Sequence, residues 1–126
     1  MIMAALKHRN ILSVRAFQVD GIFGYFNGRH DAFFLVLDRL EETLQDRLKL
    51  WKKQQKKISM SLKQRYSKRT DLLKERLDVL LELSEAVTYM HSQGLLHRDL
   101  KPDNIGFDRD GVLKVFDFDV SRIVPK

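Results

Sequence analysis

Carboxylate, amide and ammonium side chains are concentrated near the C-terminal end of this chain. The segment "HRDLKPDN", residues 97–104, supplies a carboxylate at Asp99, an ammonium group at Lys101 and an amide at Asn104. A further carboxylate, Asp117, follows in "FDFD". Carboxylate and amide oxygens are hard ligands of the kind that Mg²⁺ takes. These side chains could hold a metal ion beside an acid–base group if the fold brings them together.

A predicted β-hairpin places two of these side chains opposite each other. The segment "NIGFDRDGVLKVFD" carries Asp110-Gly111 near its middle, the commonest signal for a two-residue type I′ turn. With that turn, facing positions have numbers that sum to 221, so Asn104 faces Asp117. Facing Cβ atoms lie about 4.5–5.5 Å apart. The pattern predicts a Mg²⁺ site at the open end of the hairpin; the alternative is a solvated acid at a strand end.

The N-terminal part of the chain predicts a pair of strands. Residues 10–21, "NILSVRAFQVDG", have short apolar runs and end in an Asp-Gly turn signal. Residues 31–38, "DAFFLVLD", form an apolar run of strand length between acids, which predicts a buried strand. The segment between them carries three of the six glycines and is typical of a loop.

Two helices are predicted in the middle of the chain. The first should end near residue 51 and the second should span residues 70–93, with Thr70 as N-cap and Gly94 as the C′ stop. Apolar spacings of three and four predict the packed faces. For the first helix these are Leu40, Leu44, Leu48 and Trp51. For the second they are Leu73, Leu77, Leu80, Ser84, Val87 and His91.

Positive charge is concentrated in one segment. Residues 49–69 contain nine Lys and Arg and no acid, so the net charge of +6 leaves −3 for the rest of the chain. A solvated, partly disordered insertion is the first interpretation. The alternatives are a bipartite nuclear signal, or contact with an acidic protein partner or an acidic lipid. Nucleic acid is not expected there, because only Trp51 and Tyr66 are interleaved with the charges.

Composition limits the class of protein. With 126 residues, 44% hydrophobic and 32% charged, the chain can form one globular domain. The absence of cysteine excludes disulfides and thiolate metal sites. The longest apolar run, residues 32–37, is far shorter than the roughly 20 residues of a membrane helix, and the first ten residues lack the apolar stretch of about 7–15 residues that a secretory signal requires. We expect an intracellular protein, cytoplasmic or nuclear, without a transmembrane segment.

The octapeptide "HRDLKPDN" resembles the catalytic loop of eukaryotic protein kinases, matching H-R-D-L-x-x-x-N at every fixed position. The tripeptide "DFD" follows where that family has D-F-G. Further upstream, "LKHRNILSV" is similar to the end of the family's αC region, and "FFLVLDRLEETLQDRL" to its fifth strand, hinge and helix D. An octapeptide that matches all five fixed positions, followed by the hairpin at the right distance, forms a highly specific signal.

The resemblance implies an α+β, protein kinase-like fold fragment. It would comprise a remnant β-hairpin and hinge of the N-lobe together with helices D and E and the catalytic-loop hairpin of the C-lobe. The implied parts are the end of the N-lobe and hinge (1–40), helix D (41–51), a basic insertion (52–69), helix E (70–93), and the catalytic loop, metal-binding hairpin and start of the activation segment (94–126).

The same resemblance implies ATP and Mg²⁺ as cofactors and a protein hydroxyl as substrate. Asp99 would accept and orient the hydroxyl, and Lys101 would offset charge on the transferring phosphoryl group. Asn104 and Asp117 would hold the metal. A lysine at position 101 resembles the serine/threonine branch of the family.

Other implied positions surround the nucleotide or support the loop. Those around the nucleotide are Leu37 as gatekeeper, Asp38 and Leu40 in the hinge, and Gly106 under the adenine ring. Those in support are His97 and Phe118, stacked behind the loop, and Arg98, which would pair with a phosphate on the activation loop.

The sequence also departs from the family. The 126 residues contain no match to the Gly-rich loop, the third-strand lysine, its αC glutamate partner or the A-P-E motif. Because the Gly-rich loop and the lysine stabilise the transferring phosphoryl group, we expect weak or no kinase activity from the chain as given. A kinase-domain fragment is the first interpretation and a pseudokinase-like binding module the second. Gly106 should loosen the contact with adenine, and Asp119 in place of glycine should restrict loop motion.

Overall fold

The computed structural model describes residues 2–17, 34–57 and 62–124. Its architecture is α+β, as predicted, and no described helix is long and apolar enough to cross a membrane. The helices are α1 (Ile2–Ala5), α2 (Leu44–Lys57) and α3 (Leu62–Ser92), with a 3₁₀ turn at Pro102–Asn104. The strands are β1 (Val14–Phe17), β2 (Leu35–Leu37), β3 (Glu42–Thr43), β4 (Leu95–Leu96), β5 (Ile105–Phe107), β6 (Leu113–Val115) and β7 (Arg122–Ile123).

The predicted pair of N-terminal strands is confirmed, but the prediction that the second strand is buried is wrong, because Val36 and Leu37 are 45% and 39% exposed. β1 and β2 run antiparallel, with Val14 opposite Leu37 and Phe17 opposite Leu35. The predicted loop of residues 21–30 lies outside the described residues.

A reciprocal side-chain cap fixes the start of α2. The Thr43 hydroxyl donates to the Asp46 carboxylate at 2.7 Å and accepts from the Asp46 N–H at 3.2 Å. This is a capping box with aspartate at N3. The same hydroxyl is the main cause of a lowered pKa for Asp46. The helix therefore spans 44–57, whereas 41–51 was predicted; Trp51 is buried as expected, but Leu48 is 40% exposed.

Helix α3 begins eight residues before the predicted start at Thr70. The prediction of Thr70 as N-cap is wrong, because its hydroxyl donates to the carbonyl of Tyr66, one turn earlier, at 3.0 Å. Threonine inside a helix often satisfies its hydroxyl in this way. The stop at Gly94 is confirmed: φ is +68°, and a Cβ there would lie 2.9 Å from the carbonyl oxygen of Val124.

The packed face of α3 differs from the predicted one. Leu73, Leu77 and Leu80 are more than half exposed, Ser84 and His91 are exposed, and Val87 is half-buried. The buried stripe comprises Val79, Ala86 and Met90, flanked by Leu72 and Leu83. Both sets have helical spacing, so the spacing alone could not distinguish them. On the side of α3 near α2, the guanidinium of Arg76 lies 5.5 Å from the centre of the Trp51 ring.

Strand β6 lies in the most deeply buried part of the described fold. Leu113 and Val115 have no exposed surface. One edge of β6 pairs with β5, which in turn pairs with β3. On the other edge, the Val115 N–H donates to the Asn10 carbonyl at 2.9 Å, and the Leu12 N–H donates to the Val115 carbonyl at 3.0 Å. The N-terminal segment and the β5–β6 hairpin are thereby joined.

The register of the β5–β6 hairpin corrects the prediction. Ile105 faces Val115, so facing numbers sum to 220. Asn104 therefore lies beside Phe116, whose N–H donates to the Asn104 carbonyl at 3.1 Å, and not directly opposite Asp117.

The turn explains this one-residue shift. The side chain of Asp108 accepts hydrogen bonds from the N–H groups of Asp110 and Val112, at 3.0 and 2.9 Å. Gly111 takes a φ of +77°, and its N–H donates to the Asp108 carbonyl. These contacts form an Asx-type three-residue loop, which competes with the two-residue turn that Asp-Gly favours.

Candidate active site

Two contacts hold the loop that follows β4 against the segment that follows β6. The Arg98 Nε donates to the carbonyl of Val120 at 2.6 Å. The Ser121 hydroxyl donates to the carbonyl of His97 at 3.2 Å. Arg98 also takes a positive φ of 67°, which turns the chain sharply before Asp99. The two sequence segments with candidate chemistry are therefore side by side.

His97 is buried beneath the site. Its Nδ1 accepts from the N–H of Asp99 at 3.3 Å, and its Nε2 lies 2.9 Å from the carbonyl oxygen of Phe116. This network assigns the proton to Nε2, which donates to that carbonyl. The imidazole packs against the buried ring of Phe118 with the ring centres 4.8 Å apart, but the planes are tilted by 58° and are not stacked as predicted. His97 thus connects the catalytic-loop candidate to the segment that carries Asp117.

Two donors orient the carboxylate of Asp99. Its Oδ2 accepts from the Lys101 ammonium at 2.7 Å and from the Asn104 amide at 2.9 Å. The hydrogen bond from Lys101 is the main cause of a lowered pKa for Asp99. Reciprocally, Asp99 raises the pKa of Lys101, with smaller contributions from Asp117 and Asp103. The pair is charged across the neutral pH range.

The Lys101→Met variant tests this ion pair. Folding lowers the pKa of Asp99. The ion pair therefore stabilises the fold fully at pH values above the pKa of Asp99 in the unfolded chain, and this stabilisation is lost as pH falls through the pKa of Asp99 in the folded chain. We expect the parent to unfold at a higher temperature than Lys101→Met at pH 7, with the difference closing below about pH 4. Thermal unfolding from pH 2 to pH 9 measures it, with Lys74→Met, on the exposed side of α3, as the control. A pH-independent difference would contradict the assignment.

Asn104 and Asp117 differ in burial and in orientation. Asn104 is 5% exposed, and its Nδ2 is bonded to the Asp99 backbone and carboxylate, which leaves its Oδ1 as the end available to a ligand. Asp117 is exposed and takes a φ of 61°, a conformation that aspartate tolerates better than most residues. Its charge helps to raise the pKa of Lys101, so both ligand candidates belong to one electrostatic cluster.

This donor set fits Mg²⁺. The described residues contain no group of three or more His, Cys, Asp or Glu that could enclose a metal. Mg²⁺, however, is commonly held by one or two protein oxygens and completed by phosphate oxygens and water. An amide oxygen and an exposed carboxylate beside an ammonium group match that pattern.

Comparison with known proteins gives the family. The model of the protein kinase domain matches residues 1–126, the whole chain. The chain belongs to the protein kinase family. It is 38% identical to the serine/threonine-protein kinase ppk21 of Schizosaccharomyces pombe over 94 residues, covering 73% of this chain and 17% of that protein.

Two other relatives are also named as protein kinases. The rat eukaryotic translation initiation factor 2-alpha kinase 3 is 57% identical over 42 residues, 33% of this chain and 4% of that protein. The dual serine/threonine and tyrosine protein kinase of Danio rerio is 31% identical over 111 residues, 88% of this chain and 10% of that protein. The kinase chain spans less than a fifth of the length of each of these three relatives.

The predicted nucleotide contacts of this kinase chain are only partly brought together. Leu37 and Asp117 line one cavity of about 600 Å³. The Asp38 carboxylate is paired with the guanidinium of Arg15. A Cβ on Gly106 would lie 2.6 Å from Leu40 Cδ1, so Leu40 already fills the space that an apolar side chain at position 106 would take.

Asp119 does not use the backbone freedom of the glycine that the family has there. Among the described non-glycine residues, only Arg98 and Asp117 have positive φ. In the "DFD" tripeptide the left-handed conformation is therefore taken by Asp117. Position 119 has no positive φ, so it accommodates an L-residue without strain.

Sequence reasoning missed two charged residues of this kinase chain. Arg15 pairs with the predicted hinge residue Asp38, and nothing in its local sequence signals that contact. Glu82 accepts hydrogen bonds from buried groups on two other segments. The sequence contained a sign of this role. Glu82 lies three residues after Val79 and four before Ala86, so it is an acidic residue beside the buried stripe of α3.

Proposed function

We propose that this chain is a serine/threonine kinase domain segment that takes part in ATP-dependent phosphoryl transfer to protein hydroxyls. The arrangement around Asp99 is the observation that carries the proposal. Its carboxylate is fixed by Lys101 and Asn104, and the charge of Asp117 acts on the same lysine.

The residues have distinct roles in this proposal. With Oδ2 occupied by two donors, Oδ1 of Asp99 would accept the hydrogen bond of a substrate hydroxyl. Because Lys101 lowers the pKa of Asp99, the carboxylate is a weak base, and orientation of the hydroxyl is its larger contribution. Lys101 would offset charge on the transferring group. Asn104 and Asp117 would hold Mg²⁺, which supplies charge neutralisation at the ATP phosphates when bound.

The serine/threonine assignment rests on Lys101 and on the relatives. By resemblance, lysine at that position is typical of the serine/threonine branch. The name of the ppk21 relative specifies serine/threonine activity, and that of the Danio rerio relative specifies dual serine/threonine and tyrosine activity.

The two acids of "FDFD" provide a matched test. Asp117→Asn is expected to weaken metal-dependent ATP binding by about tenfold or more, because it removes a charged metal ligand. Asp119→Asn removes the same charge two residues away and should bind like the parent. Binding of Mn²⁺, as a spectroscopic substitute for Mg²⁺, is measured by electron paramagnetic resonance with and without ATP. Equal affinities in the two variants would refute the metal assignment, as would a parent that binds no metal–nucleotide complex.

A second candidate function is a pseudokinase-like binding module. Lys52, Lys53 and Lys56 are exposed on α2, and Lys68 and Arg69 are exposed on α3. These described parts of the basic segment are helical, so their charges are held on a defined surface. Such a surface would attract an acidic protein partner.

Charge reversal tests the basic surface. The triple variant Lys52→Glu, Lys53→Glu and Lys56→Glu is expected to weaken binding to a polyglutamate peptide by about tenfold or more at low salt, because like charges repel. The parent's binding should fall as salt rises. Titration calorimetry at two salt concentrations measures both, with Arg109→Glu in the β5–β6 turn as the control. Unchanged binding in the triple variant would count against this function.

A further inference from the structure

The outer edge of β6 carries four backbone groups that β5 cannot satisfy. In an antiparallel ladder, hydrogen-bonded and non-hydrogen-bonded pairs alternate. The bonds from Phe116 N–H to the Asn104 carbonyl and from Asp108 N–H to the Val112 carbonyl mark the bonded pairs. Leu113 and Val115 therefore direct their N–H and C=O groups away from β5. Both residues are fully buried, so these groups need partners inside the protein.

Only part of that edge is covered by another backbone segment. Asn10 and Leu12 provide the main-chain partners of Val115. At Leu113, side chains take over: its carbonyl accepts from the Asn10 Nδ2 at 3.1 Å, and its N–H donates to the Glu82 Oε2 at 2.7 Å. The carboxylate thus occupies the place of a neighbouring strand's carbonyl.

The same oxygen also accepts from the Asn10 Nδ2 at 3.1 Å. Glu82 therefore joins three parts of the chain: α3, the start of β6 and the N-terminal segment at Asn10. Asn10 is completely buried. Loss of this acceptor would leave two buried donors short of a partner, one on each segment.

We propose that Glu82 is a positioning residue for Asp117. Glu82 completes the edge of β6 and so fixes the position of this strand. Asp117 follows two residues after Val115, the last residue of β6, and takes a left-handed conformation. The metal part of this inference rests on the proposed function. Groups that orient metal ligands commonly affect metal affinity by about 10- to 100-fold when they are removed.

Three variants separate positioning from general stability. Glu82→Leu removes the acceptor at similar size, Glu82→Gln keeps a carbonyl oxygen in its place, and Glu85→Leu removes an exposed acid from the same helix. We expect Glu82→Leu to weaken Mn²⁺ affinity in the presence of ATP by about tenfold and to speed amide exchange at Leu113. Glu82→Gln should restore both quantities, and Glu85→Leu should leave both unchanged.

The outcomes are distinguishable. Parental Mn²⁺ affinity in folded Glu82→Leu overturns the proposal, and so does a Glu82→Gln variant as defective as Glu82→Leu. If circular dichroism shows that Glu82→Leu does not fold, Glu82→Asp replaces it, because the aspartate carboxylate is shorter by one methylene group. The proposal is overturned if Glu82→Asp keeps the parent's Mn²⁺ affinity and the parent's amide exchange at Leu113.

A parent that binds no Mn²⁺ refutes the proposed function and leaves a separate test of Glu82. In that case the amide resonances of Asn104 and Asp117 are compared by NMR. Shifts in Glu82→Leu and none in Glu85→Leu support positioning. Unmoved resonances at both residues overturn it.

Discussion

Replacing Asp99 with asparagine is expected to lower the rate of phosphoryl transfer by about 10²- to 10⁴-fold, the range found for the loss of a catalytic acid–base group. Asparagine preserves the shape of the side chain but carries no charge. It would weaken the bond to the Lys101 ammonium, which is 2.7 Å from Oδ2 in the parent, and it would present a poorer acceptor to the substrate hydroxyl. Because the hydroxyl must be aligned with the phosphorus atom, misorientation reduces the rate even when ATP is bound.

Transfer of labelled phosphate from ATP to a mixed serine/threonine peptide acceptor measures this effect in the complete kinase reading frame, because weak or no activity is expected from the 126 residues alone. The control is Asp110→Asn, which removes an exposed acid in the β5–β6 turn and should retain the parent rate. ATP affinity should change much less than rate in Asp99→Asn, since Asn104 and Asp117 remain. Equal rates in Asp99→Asn and Asp110→Asn would eliminate Asp99 as a catalytic residue.

The largest effect on stability is expected from Phe107→Ala. Phe107 is 1% exposed, faces Leu113 across the hairpin, and has the guanidinium of Arg47 3.3 Å from its ring centre. Truncation of a buried phenylalanine costs about 3–5 kcal/mol through lost burial and the cavity that remains. Domains are stable by only about 5–15 kcal/mol, so this one change should remove a large part of the free energy of unfolding.

Urea unfolding followed by circular dichroism gives that free energy. Leu81→Ala is the matched control, because Leu81 is 60% exposed on α3 and such surface changes usually stay within about 0.5 kcal/mol. If Phe107→Ala costs no more than Leu81→Ala, the β5–β6 hairpin is not part of the stabilising core.

Much of the fold and the family followed from the sequence because several independent signals agreed. The "HRDLKPDN" motif, the strand-length apolar runs and the Gly94 stop were each local, and local chemistry decided them. The burial of Trp51 followed from helical periodicity. The kinase family was predicted from motif residues in order, and the match over residues 1–126 confirms it.

The errors arose where two local patterns competed and a distant contact decided between them. At the hairpin, Asp110-Gly111 favours a two-residue turn, but the Asp108 side chain closes a longer loop and shifts the register by one. On α3, two apolar stripes of equal spacing were available, and the stripe of Val79, Ala86 and Met90 is the one buried in the core that α3 shares with β4 and β6. Such choices depend on tertiary packing, which periodicity does not contain.

The attachment of the N-terminal segment to β6 also affects how the chain can fold. Asn10 and Leu113 are 103 residues apart in sequence, whereas Glu82 and Leu113 are separated by 31. Loop closure costs more entropy as the loop lengthens, and contacts of high sequence separation slow folding. We therefore expect α3 and the β5–β6 hairpin to associate first and residues 10–12 to dock last. Until residues 10–12 dock, one edge of β6 can pair with a strand of another chain. Docking of these residues against β6 therefore also prevents aggregation through that edge.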